Sequence, residues 1–354
     1  MGVSKERLFF VCSHVPAANA REAGHKTAWF NLLRLSKLFD VDLLLIVNAS
    51  EMDELPLDWP SGVTLVGVFS INRWVKSWLV LSNIRRIPPR FSVRLLPLAV
   101  DFFVDRLKTI KYSRVWFEFT ETAVYCRYVP VHVPFTVSAP DVILQWSLRT
   151  KGFHRFFASW IFLTEWELFR KADQIFVQSK KDLDLVKSLY SINSIGLLSP
   201  AISDFVSLVK RNKAGIIPRT LLFWGAMSRN ENSEAVLVFL RSAWPVIVGR
   251  FPDAKIYIVG SNPPPQLVAY GSAHGVVVTG YLDDPTSYFE RAQVGIAPLI
   301  SGAGVKVKVL EMLAVGLPVV ASPIGAEGVP ESENLIVVEV GCFADVICDF
   351  FSKT

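Results

Sequence analysis

The chain has 354 residues, of which 51% are apolar and 19% charged, with a formal net charge of +5. That apolar share excludes wholesale disorder, and the length exceeds what one core ordinarily serves, so two domains are expected. No run of about 18 uncharged apolar residues occurs, which argues against a spanning helix: VDLLLIV (41–47) contains Asp42, and FFASWIFL (156–163) is short and flanked by Arg155 and Glu165.

The first residues, MGVSKERLFFVCSHVPAANA, have the charged start and Ala-rich end of a secretion signal. Their apolar stretch LFFVC is too short for such a signal, and His14 breaks the apolar character soon after it, so a first strand is the better reading. The N-myristoylation pattern fails at Glu6. Cys12, Cys126, Cys342 and Cys348 show no CxxC spacing, and a cytoplasmic protein with reduced thiols is expected.

In chain order, RLFFVCS (7–13) reads as a strand, and the segment after Gly24 places Trp29, Leu32, Leu33 and Leu35 at a helical period. VDLLLIV and VTLVGVF (63–69) read as the next strands. From Arg73 to Val100 there are six basic residues (Arg73, Lys76, Arg85, Arg86, Arg90, Arg94) and no acidic one, mixed with Trp74, Trp78, Leu79, Leu81, Ile84, Ile87 and Phe91. That mixture suits an anionic membrane surface or a phosphate-bearing acceptor; it equally describes a solvated helical face whose long cationic stems lie over a core. No nucleic-acid motif accompanies the charge, and nucleic acid is not expected as a partner.

SRVWFEF (113–119), PFTVSAP (134–140) and QIFVQS (174–179) continue the first series of strands. Between about 199 and 218 the pattern lapses into polar and basic residues, including KRNKAG (210–215), which reads as a linker. A second series then begins: TLLFWGA (220–226), AKIYIVG (254–260), GVVVTG (275–280), VGIAPL (294–299) and LPVVAS (317–322). Strands alternating with helices predict parallel sheets covered on both faces. The expected architecture is α/β, with two Rossmann-like doubly wound domains: 1–205, 216–338, and a closing segment 339–354 that packs back on the N-terminal domain. Ligands of such sheets sit beyond the carboxyl ends of the strands, so a cleft between two facing domains is the expected site.

The stretch SGAGVKVKVLEMLAVGLPVVAS (301–322) comes after the strand VGIAPL and precedes a helix. Small residues there let main-chain N–H groups approach a ligand, and a helix N-terminus favours an anion. A helix starting near Gly304 puts Gly304, Lys308 and Glu311 on one face, with Lys306 off that face unless its stem curls back. The same spacing also fits a tight turn with an ordinary Lys308–Glu311 surface pair after it. It is neither a Walker A loop nor a dinucleotide GxGxxG fingerprint.

The run GAGVKVKVLEMLAVGLPVVASPIGAEGV (302–329) resembles the C-terminal signature of family 4 glycosyltransferases (glycosyl transferases group 1), which have the GT-B fold. TLLFWGAMSRNENSEAVLVFL (220–240), AKIYIVGSNP and VVVTGYLDD are similar to the family in kind and order; residues 1–219 resemble it more weakly, through a strand, the Gly24 loop and ELFRKADQIFVQSKKD (167–182).

The resemblance implies transfer of a sugar from a nucleoside-diphosphate donor, with retention and without a metal or other cofactor. Gly302 and Gly304 would bring N–H groups to the donor. Lys308, with Lys306, would neutralise the diphosphate. Glu311 would accept bonds from ribose hydroxyls, Gly280 and Tyr281 would border the base, and Gly24 would face the donor from the other domain. The position where many members carry a sugar-contacting glutamate is Ala303, and the Gly-Arg and Lys after the first C-domain strand are replaced by Gly225-Ala226 and by Glu231 or Asn232. Arg229 is then the candidate substitute cation.

Asp141, after PFTVSAP, stands where members place a catalytic or acceptor-contacting pair, with Pro140 in place of the histidine. His14, His25, Glu118 and Glu121 border the same expected cleft. The implied function is a retaining, metal-independent glycosyltransferase acting on a glycan or lipid-linked acceptor in cell-surface polysaccharide or glycolipid assembly, at the inner face of the membrane through residues 73–100. The alternatives are a GT-B protein that binds nucleotide sugar without transfer, and a sugar-nucleotide epimerase.

Overall fold

A computed structural model describes residues 5–18, 23–149, 153–302 and 304–353. The chain divides into two compact units, residues 1–201 and 202–354. Among the described residues no helix is long and apolar enough to cross a membrane.

The first unit is built on seven strands: β1 (Glu6–Cys12), β2 (Phe39–Asn48), β3 (Val63–Ile71), β4 (Arg114–Glu118), β5 (Phe135–Ser138), β6 (Gln174–Val177) and β7 (Ile195–Leu197). All neighbours pair in parallel, in the order β3-β2-β1-β4-β5-β6-β7. The near-continuous apolar runs in β1 and β2 reflect burial on both faces. Phe9, Val11, Leu44, Ile46 and Phe117 point into one core, while Leu8, Phe10, Leu43, Leu45 and Trp116 point into the other. The order turns around between β1 and β4, and the ends of those two strands form the switch point where a doubly wound sheet binds ligands. Strand β7 lies beyond the expected series; three residues including Gly196 are too short for an alternating pattern to register.

The second unit has β8 (Thr220–Trp224), β9 (Lys255–Val259), β10 (Val276–Gly280), β11 (Val294–Ala297), β12 (Val319–Ala321) and β13 (Leu335–Val337), all parallel, in the order β10-β9-β8-β11-β12-β13. Its switch point falls between β8 and β11. Again two cores flank the sheet, one around Phe223, Phe239, Ile256 and Ile258, the other around Leu222, Phe289, Met312 and Val319.

The structure corrects two expectations about where the units end. Residues expected as linker belong to the second unit: Phe205 and Val209 pack on the Phe289 core, and the Arg211 guanidinium donates to the carbonyls of Phe289 (2.9 Å) and Ala292 (2.5 Å). Residues 339–354, expected against the N-terminal domain, instead form the helix Phe343–Ser352, which buries Phe343, Ile347 and Phe351 in the second unit's own core. Its Phe351 meets Phe251 edge-on at 5.7 Å, which fixes that docking.

The basic stretch 73–100 also resolves into two parts. The helix Arg73–Asn83 is capped by Asn72, whose side chain accepts the Val75 amide at 2.9 Å. Only Leu79 of this helix is buried, and Trp74, Trp78 and Leu81 are 79%, 54% and 70% exposed. Arg73, Arg85 and Arg86 are exposed as well. Further on, Ile87 and Phe91 are core, and Arg94, expected as surface charge, is buried and donates to the Ile46 carbonyl at 3.0 Å.

Candidate functional site

In the second unit the loops after β8 and β11 meet. Gly225, directly after β8, has φ +148°, and a Cβ there would stand 3.0 Å from Lys308 Nζ, so this position admits only glycine. Its carbonyl presses against Gly260, where a Cβ would come within 1.8 Å of it. After β11 the chain turns through Gly302 (φ +114°) and Gly304 (φ +72°), conformations that glycine adopts without strain. A Cβ on Gly302 would lie 3.9 Å from Lys306 Nζ and 3.7 Å from Glu231 Cγ, which brings the two loops together. Ala303 lies outside the described residues.

The helix of the signature runs Val307–Ala314, three residues later than a start near Gly304. The reason is local: both glycines take left-handed conformations that no helix continues, and Lys306 occupies the cap position. Lys306 does curl back, donating its ammonium to the Gly304 carbonyl at 2.7 Å, 3.8 Å from Glu327. Lys308 and Glu311 still share a face, and it turns inward. Lys308 Nζ donates to Asn232 Oδ1 and sits 5.0 Å over the Phe223 ring. Asn232 is itself fixed by donating to the Ala226 carbonyl at 2.7 Å. Burial, with the charges of Arg229 and Lys306, pushes the Lys308 ammonium down to about 7.

Glu311 is buried and held by three donors. Its Oε1 accepts the Ser203 amide at 3.0 Å and the Ser203 hydroxyl at 2.5 Å, and its Oε2 accepts the Trp224 indole at 2.6 Å. This excludes a Lys308–Glu311 surface pair, the plainer reading of the spacing. Arg229 precedes the helix Asn230–Ser242, half-exposed and 3.9 Å from Glu231. Gly280 ends β10 at φ +72°, with open space on its Cβ side, and Tyr281 beside it is half-exposed.

Of the sequence candidates, Arg229, Gly302, Gly304, Lys306, Lys308 and Glu311 therefore gather around the ends of β8 and β11, with Gly280 and Tyr281 at the end of β10. Asn232, Ser203 and Trp224 act there as partners that sequence reasoning does not single out. Only Asn232 leaves a trace in the sequence, as a residue standing where the family usually has a lysine.

Gly24 and Asp141 lie in the first unit. A Cβ at Gly24 would make only ordinary contact with the Phe119 ring (3.7 Å) and His14 Cδ2 (3.9 Å), which places the start of the helix Ala23–Ser36 beside the residues that follow β1 and β4. Asp141 is exposed, just before the helix Ile143–Arg149. The carboxylate that holds this helix start is Glu165, which accepts the amides of Ile143 (2.7 Å) and Leu144 (3.0 Å) and the Tyr190 hydroxyl (2.6 Å). Burial lifts Glu165 to about 7.

Glu118 is wholly buried in a network with Asn31 (3.0 Å), Trp116 (2.7 Å) and Ser138 (2.8 Å), which makes it a structural group rather than a cleft residue; burial lifts it to about 7 against these donors. Glu121 is buried beside Arg90 at 3.4 Å; burial works to raise its carboxyl, but the charges of Arg90 and Arg94 outweigh that and hold it low.

Residues 218–353 match the family described as Glycosyl transferases group 1. Over 112 residues the chain is 36% identical to a phosphatidyl-myo-inositol mannosyltransferase of Mycolicibacterium smegmatis, a match that covers 30% of this chain and 28% of that protein's length. Among solved structures, sucrose-phosphate synthase from Thermosynechococcus elongatus superposes with TM-score 0.68 at 13% identity, covering 98% of this chain and 89% of that one. HepE of Anabaena in complex with UDP superposes with TM-score 0.64 at 12% identity, covering 98% and 90%. At such identities the likeness speaks to the fold, which is GT-B.

Proposed function

We propose that the chain, whose residues 218–353 match the glycosyl transferases group 1 family, transfers a sugar from a nucleoside-diphosphate donor to a glycan or lipid-linked acceptor. The observation that carries this reading is Lys308: a half-buried ammonium, held low by burial and neighbouring cations, lies against the glycine turn after β8, where an anion would be favoured.

In the proposed reaction the donor diphosphate lies against Gly302, Gly304, Lys308 and Lys306, with Arg229 at its rim. As the anomeric bond breaks, charge grows on the leaving diphosphate, and fixed cations placed where it develops lower the barrier. No metal is needed for that neutralisation. Glu311 receives the ribose, and Gly280 and Tyr281 border the base. Transfer proceeds with retention, with Asp141 on the acceptor side of the chemistry. The Mycolicibacterium relative is named for a phosphatidyl-myo-inositol, and the exposed Trp74, Trp78, Arg85 and Arg86 suit a lipid-linked acceptor presented at an anionic inner membrane face.

Calorimetry with UDP-, GDP-, ADP- and CDP-sugars tests the reading. Saturable binding of one of them, with slow release of nucleoside diphosphate afterwards, is expected; no binding to any would overturn it. Ala303 in place of a sugar-contacting glutamate, and Gly225-Ala226 in place of Gly-Arg, favour a second reading, a nucleotide-sugar binder that does not transfer. Binding without any release of nucleoside diphosphate, even with acceptor lipid present, would select it.

A further inference from the structure

At the ends of β1 and β2 in the first unit, three side chains from separate segments converge. His14 Nδ1 lies 3.3 Å and His25 Nε2 3.7 Å from the same oxygen, Glu51 Oε2. One potential ligand atom from each of the three side chains falls within 4.8 Å of the others. In a tetrahedral zinc site with bonds of about 2.0 Å, ligand atoms stand roughly 3.3 Å apart. Two edges of such a tetrahedron are therefore nearly in place.

The surroundings are those of a ligand set. Glu51 is buried, its Oε1 accepts from the Asn48 side chain and its Oε2 from the Val15 amide at 3.3 Å, so the carboxylate is oriented before anything binds. His25 is only 4% exposed, and its other ring nitrogen, Nδ1, makes no hydrogen bond although Glu54 Oε2 is 3.3 Å away. A carboxylate behind the distal nitrogen is the usual second partner of a metal-bound histidine.

The tautomers sharpen this. If neutral His25 carries its proton on Nε2, a lone pair on Nδ1 faces Glu54; if on Nδ1, a lone pair on Nε2 faces Glu51. In either neutral tautomer a ring lone pair confronts a carboxylate oxygen inside the protein, and only an imidazolium donating from both nitrogens, or a bound cation, avoids this. A cation bound between Nε2 and Glu51, with the proton on Nδ1 toward Glu54, relieves both.

We propose that His14, His25 and Glu51 bind one divalent transition-metal ion, zinc foremost, with Glu54 orienting His25. Two imidazoles and a carboxylate suit zinc over magnesium or calcium. His14 is partly exposed, at 24%, so a fourth position opens to water or to an oxygen of a bound molecule. The ion ties the segment after β1 and the helix Ala23–Ser36 to the turn Ala49–Glu54. It departs from the metal-free expectation of the sequence, yet leaves the diphosphate to the lysines of the other unit and stands independently of the proposed transfer.

The test uses the full chain, stripped with a chelator and titrated with Zn²⁺ by calorimetry and with Co²⁺ by visible absorption. One ion per chain is expected, with the intense absorption of tetrahedral Co²⁺. His14→Ala, at a partly exposed position that does not threaten the core, should weaken binding by at least tenfold, as should His25→Ala, and Glu54→Gln by about tenfold. His132→Ala, at an exposed histidine elsewhere, should change nothing. Absence of saturable binding, or wild-type affinity in folded His14→Ala, would overturn the proposal.

Discussion

The Trp224 indole donates to Glu311 Oε2 at 2.6 Å, on the carboxylate proposed to receive the donor's ribose. With Ser203 on Oε1, three of its roughly four lone-pair sites are taken. A ribose must share the remaining site or displace the indole.

Trp224→Phe should therefore strengthen nucleotide-sugar binding several-fold while lowering stability by about 1–3 kcal/mol, because Oε2 is left without a donor when the site is empty. Glu311→Ala should weaken binding by at least tenfold. Calorimetry and thermal melts read the two quantities separately. Weaker binding in Trp224→Phe would mean that the indole itself serves the donor and that Glu311 is a structural clamp.

Lys308 makes a prediction about protons. Burial and the cations around it depress the folded ammonium from 10.5 to about 7, so between those values the native protein holds less proton than the unfolded chain. This group's contribution to stability therefore rises with pH across that window. A bound diphosphate restores the charged form. At pH 8, donor binding should take up a proton, seen as a dependence of the binding heat on the buffer's ionisation enthalpy. Lys308→Met should abolish the uptake and weaken binding far more than it lowers Tm; an unchanged buffer dependence would show that Lys308 is not the group being titrated.

Much of the fold and the glycine turns is legible in the sequence because periodicity and glycine spacing are local signals. The apolar runs of β1, β2, β8 and β11 mark buried parallel strands by themselves, and Gly302 and Gly304 mark a turn that only glycine makes easily. The partners of Glu311 are not legible, since Ser203 is 108 residues from it in sequence and Trp224 87, and only the sheet order brings them together. Arg94 is misplaced for a related reason: it is a basic residue in a run with the exposed Arg73, Arg85 and Arg86, and the Ile46 carbonyl that holds it lies 48 residues away on β2. The closing helix Phe343–Ser352 shows the same limit, because its apolar face reveals that it docks but not on which core.

Glu165 ties pH to the geometry around Asp141. Burial lifts its carboxyl from 4.5 to about 7, against the pull of Tyr190 and the amides of Leu144 and Ile143. The native state thus holds a proton that the unfolded chain releases above about 4.5, and the stability this lends is complete below about 4.5 and lost as pH rises through about 7. Glu118 contributes in the same direction. Glu165→Gln should flatten the fall in stability between about pH 4.5 and 7, measured by denaturant melts, and cost about 1–3 kcal/mol at low pH through the disturbed helix start. An unaltered slope would place the titration elsewhere.

The helix Arg73–Asn83 presents an apolar face with nothing in its own unit to cover it: Trp74 is 79% exposed and Leu81 70%, whereas Leu79 on the opposite side is fully buried. Arg73, Arg85 and Arg86, close to that helix in sequence, are exposed as well, and the buried Arg94 takes no part. Two forces are then separable on a membrane. Each exposed arginine near an anionic surface contributes about 1 kcal/mol, screened by salt, while indoles seated among the headgroups hold on irrespective of salt. Vesicles containing anionic lipid should float with the protein. Arg85→Glu with Arg86→Glu should abolish the salt-sensitive part of binding, and Trp74→Ser with Trp78→Ser the salt-resistant part, with thermal melts unchanged because none of the four side chains is buried. Flotation that survives both pairs of changes would assign this face to something other than a membrane.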